Sequence, residues 1–169
     1  MNYMRLALSM FSIFLVAACS NSLGSDVNEF NGQSDLANIS TGSVSDVTSP
    51  AHFQQVLGDR VFFAVDDSSL SIDAQAILDD QANWLLENVN YDAVIEGHAD
   101  ERGTREYNLA LGARRANTVR EYLISRGILE TRLETISYGK ERPIEICSNE
   151  SCYALNRRVV TVLTSGVSG

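Results

Sequence analysis

The stretch Ala93-Val94-Ile95-Glu96-Gly97-His98-Ala99-Asp100-Glu101-Arg102-Gly103-Thr104, followed by Arg105-Glu106-Tyr107-Asn108-Leu109-Ala110-Leu111-Gly112-Ala113-Arg114-Arg115-Ala116, changes its period once, and the change decides the fold. Ala93 to His98 is short and apolar with β-branched residues, which predicts a strand. Asp100 to Thr104 is a polar loop. Beyond it Leu109, Gly112, Ala116, Val119 and Leu123 recur at intervals of three and four, the core stripe of a helix from about Arg105 to Ser125. Arg126-Gly127 ends that helix, with glycine where a left-handed residue is wanted. Asn108, Leu111 and Arg115, at i, i+3 and i+7, form a second stripe beside the first.

Upstream, Arg60 to Val65 is aromatic and β-branched and reads as a strand, and Asp66-Asp67-Ser68-Ser69 reads as a turn. A helix capped by Ser71, with Asp73 in its first turn, carries Ala74, Leu78, Leu85 and Val89 on one face and runs to Asn88. Asn90-Tyr91-Asp92 breaks it. Downstream come a strand from Leu133 to Tyr138, a turn from Gly139 to Pro143, a short helix near Tyr153–Arg157 and a last strand from Arg158 to Thr164. The order β-α-β-α-β-(α)-β implies an α+β class: a two-layer sandwich with helices packed on a mixed four-stranded sheet.

The N-terminus carries a different message. Leu6 to Ala18 is a run of signal-peptide length after the lone charge of Arg5, too short to span a bilayer. It ends in Leu15-Val16-Ala17-Ala18-Cys19, and small residues before a cysteine resemble the lipobox of bacterial lipoproteins. That resemblance implies removal of residues 1–18 and acylation of Cys19, with palmitate among the chains. Each buried methylene adds ~0.8 kcal/mol, so several chains hold where one is marginal. Ser20, in place of an inner-membrane-retaining Asp, favours the outer membrane by the same analogy. Residues 19–50 are rich in Ser, Asn, Gly, Asp and Thr without periodicity, and read as a flexible tether with a reach on the order of tens of ångströms. The domain is expected over 51–169. His52, at the junction, is given no role.

The formal charge is −9, and removing residues 1–18 takes away only Arg5, leaving −10. So acidic a chain is a poor partner for nucleic acid. Cys147 and Cys152 remain in an oxidising space and close a short loop, which suggests a disulfide. Read as metal ligands, the pair lacks any neighbouring His or Cys. Asp100 lies just past the end of a strand and Arg115 on the next helix. If the loop folds back, acid and guanidinium converge with Asn108 and Leu111. Such a site suits a zwitterion, ammonium to Asp and carboxylate to Arg, and equally describes an ion pair that merely holds loop to helix.

Residues from about 60 to 163 closely resemble the OmpA-like C-terminal domain, in particular that of the peptidoglycan-associated lipoproteins. The matching segments are EGHADERGTREYNLALGARRA (96–116), ISYGKERP (136–143) and LNRRVV (155–160). The resemblance implies a non-covalent binder of meso-diaminopimelate in the peptidoglycan stem peptide, linking outer membrane to cell wall within the Tol-Pal system of envelope integrity and cell division. It implies no enzymatic activity and no cofactor. By the family pattern Asp100 takes the ligand ammonium, Arg115 its carboxylate, Val65 and Asp66 add contacts, and Asn108 and Leu111 shape the pocket. The expected partners are peptidoglycan, a TolB-like periplasmic β-propeller protein, and the outer membrane through the acyl chains. Two departures touch the pattern: Phe63-Ala64-Val65-Asp66 stands where F-D-F-D is usual, and Ala99 where Thr is usual. The cysteine loop is read as a local staple, far from the pocket in sequence.

Two rival readings are weaker. Glu96, His98, Asp100 and Glu101 resemble a metal set, but zinc needs three or four ligands in defined positions and no second His is near. His98 is therefore expected to be packed or hydrogen-bonded. An interaction module using Arg157-Arg158 and Lys140-Glu141-Arg142 is conceivable, against the simpler reading of those residues as solvated charge.

Overall fold

The computed structural model describes residues 41–166; the signal-like segment and Cys19 lie outside the described residues. Strands β1 (Arg60–Phe62), β2 (Tyr91–His98), β3 (Leu133–Gly139) and β4 (Arg158–Ser165) form one sheet in the order β1-β4-β2-β3. β4 runs antiparallel to both β1 and β2, and β2 runs parallel to β3. The parallel pair requires a crossover, and helix α3 (Arg105–Ser125) supplies it. Helix α2 (Ile72–Glu87) makes the preceding connection, and α4 (Glu150–Asn156) precedes β4.

Local chemistry fixes the helix starts. Ser71, Thr104 and Asn149 each accept a backbone N–H three residues on, from Ala74, Tyr107 and Cys152, satisfying donors that a helix leaves open. Leu78, Leu85, Val119 and Leu123 then meet Ile95, Val159 and Leu163 of the sheet in one core. Glycine sets how closely α3 approaches that sheet. A Cβ on Gly97 would collide with the Gly112 carbonyl, and one on Gly112 with the Ser137 hydroxyl.

Several boundaries differ from the sequence reading. β1 stops at Phe62, although the Phe63 N–H still donates to the Arg157 carbonyl at 2.9 Å; beyond it the chain turns out of the sheet. Tyr91 and Asp92 belong to β2, paired with Ser165 and Thr164, because the turn is completed by Asn88–Asn90. α2 closes at Glu87, where the Asn88 side chain caps the Trp84 carbonyl at 2.9 Å, so Val89 falls off the buried face and is 67% exposed. Buried Gln81 takes a core position instead, donating to the Gly58 carbonyl and accepting from Thr161.

The expected tether also shortens. From Thr41 the chain is folded: Ser49 is buried and caps α1 (Pro50–His52), which continues as a π-helical turn over Phe53–Gly58. The cause is Trp84, whose buried indole N–H donates to the Val47 carbonyl at 2.7 Å while its ring packs on Phe53. An indole buried in this way needs such an acceptor. His52 merely meets the Val44 carbonyl.

On the sheet face opposite the helices, His98 is 2% exposed and packs beside the Tyr138 ring. Neither ring nitrogen has a hydrogen-bond partner; the Glu96 carboxylate, 3.8 Å from Nε2, is a nearby charge rather than a bonded one. Burial holds the imidazole below its usual range, Glu96 opposes that shift, and Arg158 and Arg142 add to it. A histidine buried neutral protonates in the unfolded chain first. Its contribution to stability is present above the unfolded value near 6.5 and is lost as pH falls below it. Urea unfolding of the full chain should therefore show stability falling between pH 7 and 5, by at most about 1.4 kcal/mol per pH unit from this group. The same series in His98→Leu should be flatter; an unchanged slope would assign the loss to other groups.

Candidate binding site

Arg115 is the centre of the site. It projects from α3 under the end of β2 and is 0% exposed. Its Nε donates to the Asp67 carbonyl at 2.7 Å, Nη1 to the His98 carbonyl at 3.0 Å and Nη2 to the Ala64 carbonyl at 3.0 Å. The guanidinium also lies over the Phe63 ring, 5.2 Å from its centre. No carboxylate comes within 4.0 Å of it among the described residues. Burial pushes its pKa down to about 10, with Arg157 adding to the effect, so it remains a cation at neutral pH. Three of its five donors are spent on carbonyls, leaving two for an anion.

Asp100 is bonded to other arginines, which removes the alternative of an Asp100–Arg115 ion pair that merely holds loop to helix. Oδ1 accepts the Arg102 backbone N–H at 3.1 Å and its Nε at 3.2 Å; Oδ2 accepts Arg102 Nη2 at 2.5 Å and Arg157 Nη1 at 3.2 Å. Burial alone would raise the carboxyl's pKa, but the bonds from Arg102 and Arg157 outweigh it and hold the group below its usual range.

Both charges, Arg115 and Asp100, line an open cavity of about 250 Å³, shared with Val65, Asp66, Asn108 and Leu111 together with Arg102, Gly103, Tyr107 and Arg157. Its size suits one end of an amino acid and is below the range for drug-sized ligands. Asp66 reaches its wall from the left-handed region, at φ 55°, and accepts the Tyr107 hydroxyl. A non-glycine residue held there is strain that the surroundings must support. Asn108 donates to the Arg102 carbonyl at 2.7 Å and so fixes the loop rather than facing freely into the cavity. Lys140, in the turn after β3, fixes the same loop through the Glu101 and Gly103 carbonyls.

The geometry has counterparts among known proteins. The model of the OmpA family matches residues 62–157. A peptidoglycan-associated lipoprotein of Rhizobium meliloti is 54% identical over 134 residues, covering 79% of this chain and 76% of that one. The chain belongs to the OmpA family, among its peptidoglycan-associated lipoproteins. Another such protein, of Mesorhizobium japonicum, is 44% identical over 161 residues, 95% of this chain and 92% of that one. The crystal structure of the peptidoglycan-associated lipoprotein from Burkholderia pseudomallei matches at a TM-score of 0.64 and 36% identity, over 72% of this chain and 98% of that chain.

Within this family fold, the sequence reading of the last basic residues needs correction. Arg157 and Arg158 are 5% and 6% exposed and are not solvated charge. Arg158 lies under the turn after β3, donating to the Arg142 carbonyl at 3.2 Å. Arg157 is a residue of the site itself: besides Asp100 it donates to the Phe63 carbonyl at 3.0 Å and to Glu150 at 2.6 Å. Its signal in the sequence was its place in LNRRVV, read there as family resemblance alone. The cysteine loop is also nearer than its sequence distance suggested. Cys147 and Cys152 are joined, with Cα atoms 6.0 Å apart, and the loop they close carries Glu150 to Arg157 and Ser148 to Glu101. His98 sits away from any ligand set, and no group of three or more metal-ligating side chains occurs among the described residues.

Arg157 is one of two cations on Asp100 and also holds the Phe63 carbonyl, so removing it weakens a buried pair and strands a buried acceptor. Arg157→Ala should lower unfolding stability by about 2–3 kcal/mol, whereas Arg60→Ala, whose pair with Asp59 is at the surface, should cost less than about 1 kcal/mol. Urea unfolding checks both; equal losses would deny Arg157 its structural weight.

Proposed function

We propose that this protein is an outer-membrane lipoprotein that binds peptidoglycan non-covalently, and that its pocket takes the free zwitterionic end of meso-diaminopimelate in the stem peptide. The observation that carries the reading is Arg115: a buried guanidinium with no carboxylate partner among the described residues, lining the same cavity as the acid Asp100. A buried charge normally has a partner. Here a ligand carboxylate completes Arg115 and a ligand ammonium meets Asp100, with Asp66, Val65, Asn108 and Leu111 forming the walls. The names of the relatives point to the same polymer.

The wider role follows from the anchor. Acyl chains on Cys19 hold one end in the outer membrane while the pocket holds the wall, and the segment between them sets the reach. A single contact can then be weak, because a tethered pocket facing a repeating polymer rebinds at high effective concentration. The protein acts as a mechanical link and not as an enzyme. Its place in the Tol-Pal system, with a TolB-like β-propeller protein as partner, rests on the family resemblance.

Sedimentation of the full chain, in detergent, with purified peptidoglycan tests the reading. Wild type should co-sediment and be competed off by free meso-diaminopimelate. Arg115→Lys should weaken binding at least about tenfold, the worth of one charge-assisted hydrogen bond, and Asp100→Asn, which leaves the buried Arg157 facing the ligand ammonium without its carboxylate, should weaken it as well, both variants melting well above the assay temperature. Undiminished sedimentation of both folded variants would overturn the site.

A further inference from the structure

The proposed reading gives Asp100 to a ligand ammonium, yet the carboxylate already holds a cation. Two arginines meet it, and they differ in kind. Arg157 is buried and committed to the Phe63 carbonyl and Glu150 as well. Arg102 is a surface residue whose side chain keeps 43% of its exposure. Its guanidinium spans both carboxylate oxygens, at 3.2 and 2.5 Å, and itself lines the cavity. It therefore stands where the ammonium has to go.

We infer that Arg102 is an internal cation that occupies Asp100 in the absence of ligand and is displaced by the ligand's ammonium. This rests on the zwitterion reading of the pocket. The structure also provides a place for the displaced group. The Arg102 guanidinium lies 4.6 Å above the Tyr153 ring and 3.7 Å from Glu150, both on α4 and outside the cavity. Releasing Asp100 leaves Arg102 with a carboxylate and an aromatic face within reach, so displacement does not strand a charge. The loop need not move, because its backbone is held by Asn108 and Lys140 and not by the Arg102 side chain.

The energetic consequence is a trade at Asp100. One cation leaves as another arrives, and the gain there nearly cancels. Net affinity then comes from the Arg115 end, where no protein carboxylate has to be displaced. A simple amine gains almost nothing from such a site, while an ammonium joined to a carboxylate does. Arg102 thereby sets the specificity of the pocket by lowering the affinity of everything that binds through charge at Asp100 alone.

Calorimetric titration of the tripeptide L-alanyl-γ-D-glutamyl-meso-diaminopimelate into the full chain, at constant ionic strength, tests this. Arg102→Gln removes the competitor and should bind about two- to fivefold more tightly, the worth of a partly exposed ion pair. Arg102→Lys, with a single-point cation, should fall between the two. A side chain that supports the pocket or contacts the ligand gives the opposite order: Gln weaker than wild type and Lys restoring affinity. That order, or equal affinities, overturns the inference while leaving the zwitterion site standing. Failure of wild type and both folded variants to bind the tripeptide overturns the proposed function and this inference together.

Discussion

The burial of the Arg115 guanidinium is the constraint on which the rest of the structure depends. One planar group ties three pieces of backbone to α3: the exit of β1 at Ala64, the turn at Asp67 and the end of β2 at His98. Removing it would leave those carbonyls without their donor, and unpaired polar groups in such a place are costly. Placing it there is costly too, since a charge gives up its water. The cation–π contact with Phe63 and the three carbonyls offset part of that cost. What they leave uncompensated is a positive charge facing a small cavity, which is what an anion site requires.

The groups around Arg115 fix the position of the acid that shares its cavity. Arg157 holds Asp100, Asn108 and Lys140 fix the loop that carries it, and the disulfide loop backs Arg157 through Glu150. The close approach of Gly97 to Gly112 seats α3 low on the sheet and brings the Arg115 side chain to the end of β2. Rigid elements thus set the spacing, and the exposed Arg102 is the member of the network with least to lose by moving.

The fold was largely legible because its signals are local. Periodicity located α2 and α3, apolar runs rich in β-branched residues located the four strands, and Ser71 and Gly127 marked helix ends by chemistry that needs no tertiary context. The errors fell where tertiary contacts decide. Trp84 recruits Val47 and orders a Ser- and Thr-rich segment that composition assigns to the tether. Asn88 ends α2 early and leaves Val89 outside. For the site, spacing placed Asp100, Asn108, Leu111 and Arg115 together, and the resemblance added Val65 and Asp66. It could not show that the acid pairs with Arg102 and Arg157 and not with Arg115. An Arg-Arg run reads as solvated charge until the strand it starts is seen to be buried, and residues 41 and 57 positions away from Asp66 and Asp100, Tyr107 and Arg157, meet them only through the fold.

On the proposed reading the pocket recognises two opposite charges on one ligand, in a cavity of about 250 Å³. The most direct test compares two stem tripeptides that differ by one carboxylate, one ending in meso-diaminopimelate and one in L-lysine, titrated calorimetrically into the full chain. The account predicts binding of the diaminopimelate peptide and at least about tenfold weaker binding of the lysine peptide, which offers Asp100 an ammonium and leaves Arg115 unpaired. Equal affinities would contradict it, because Arg115 would then have no part in recognition.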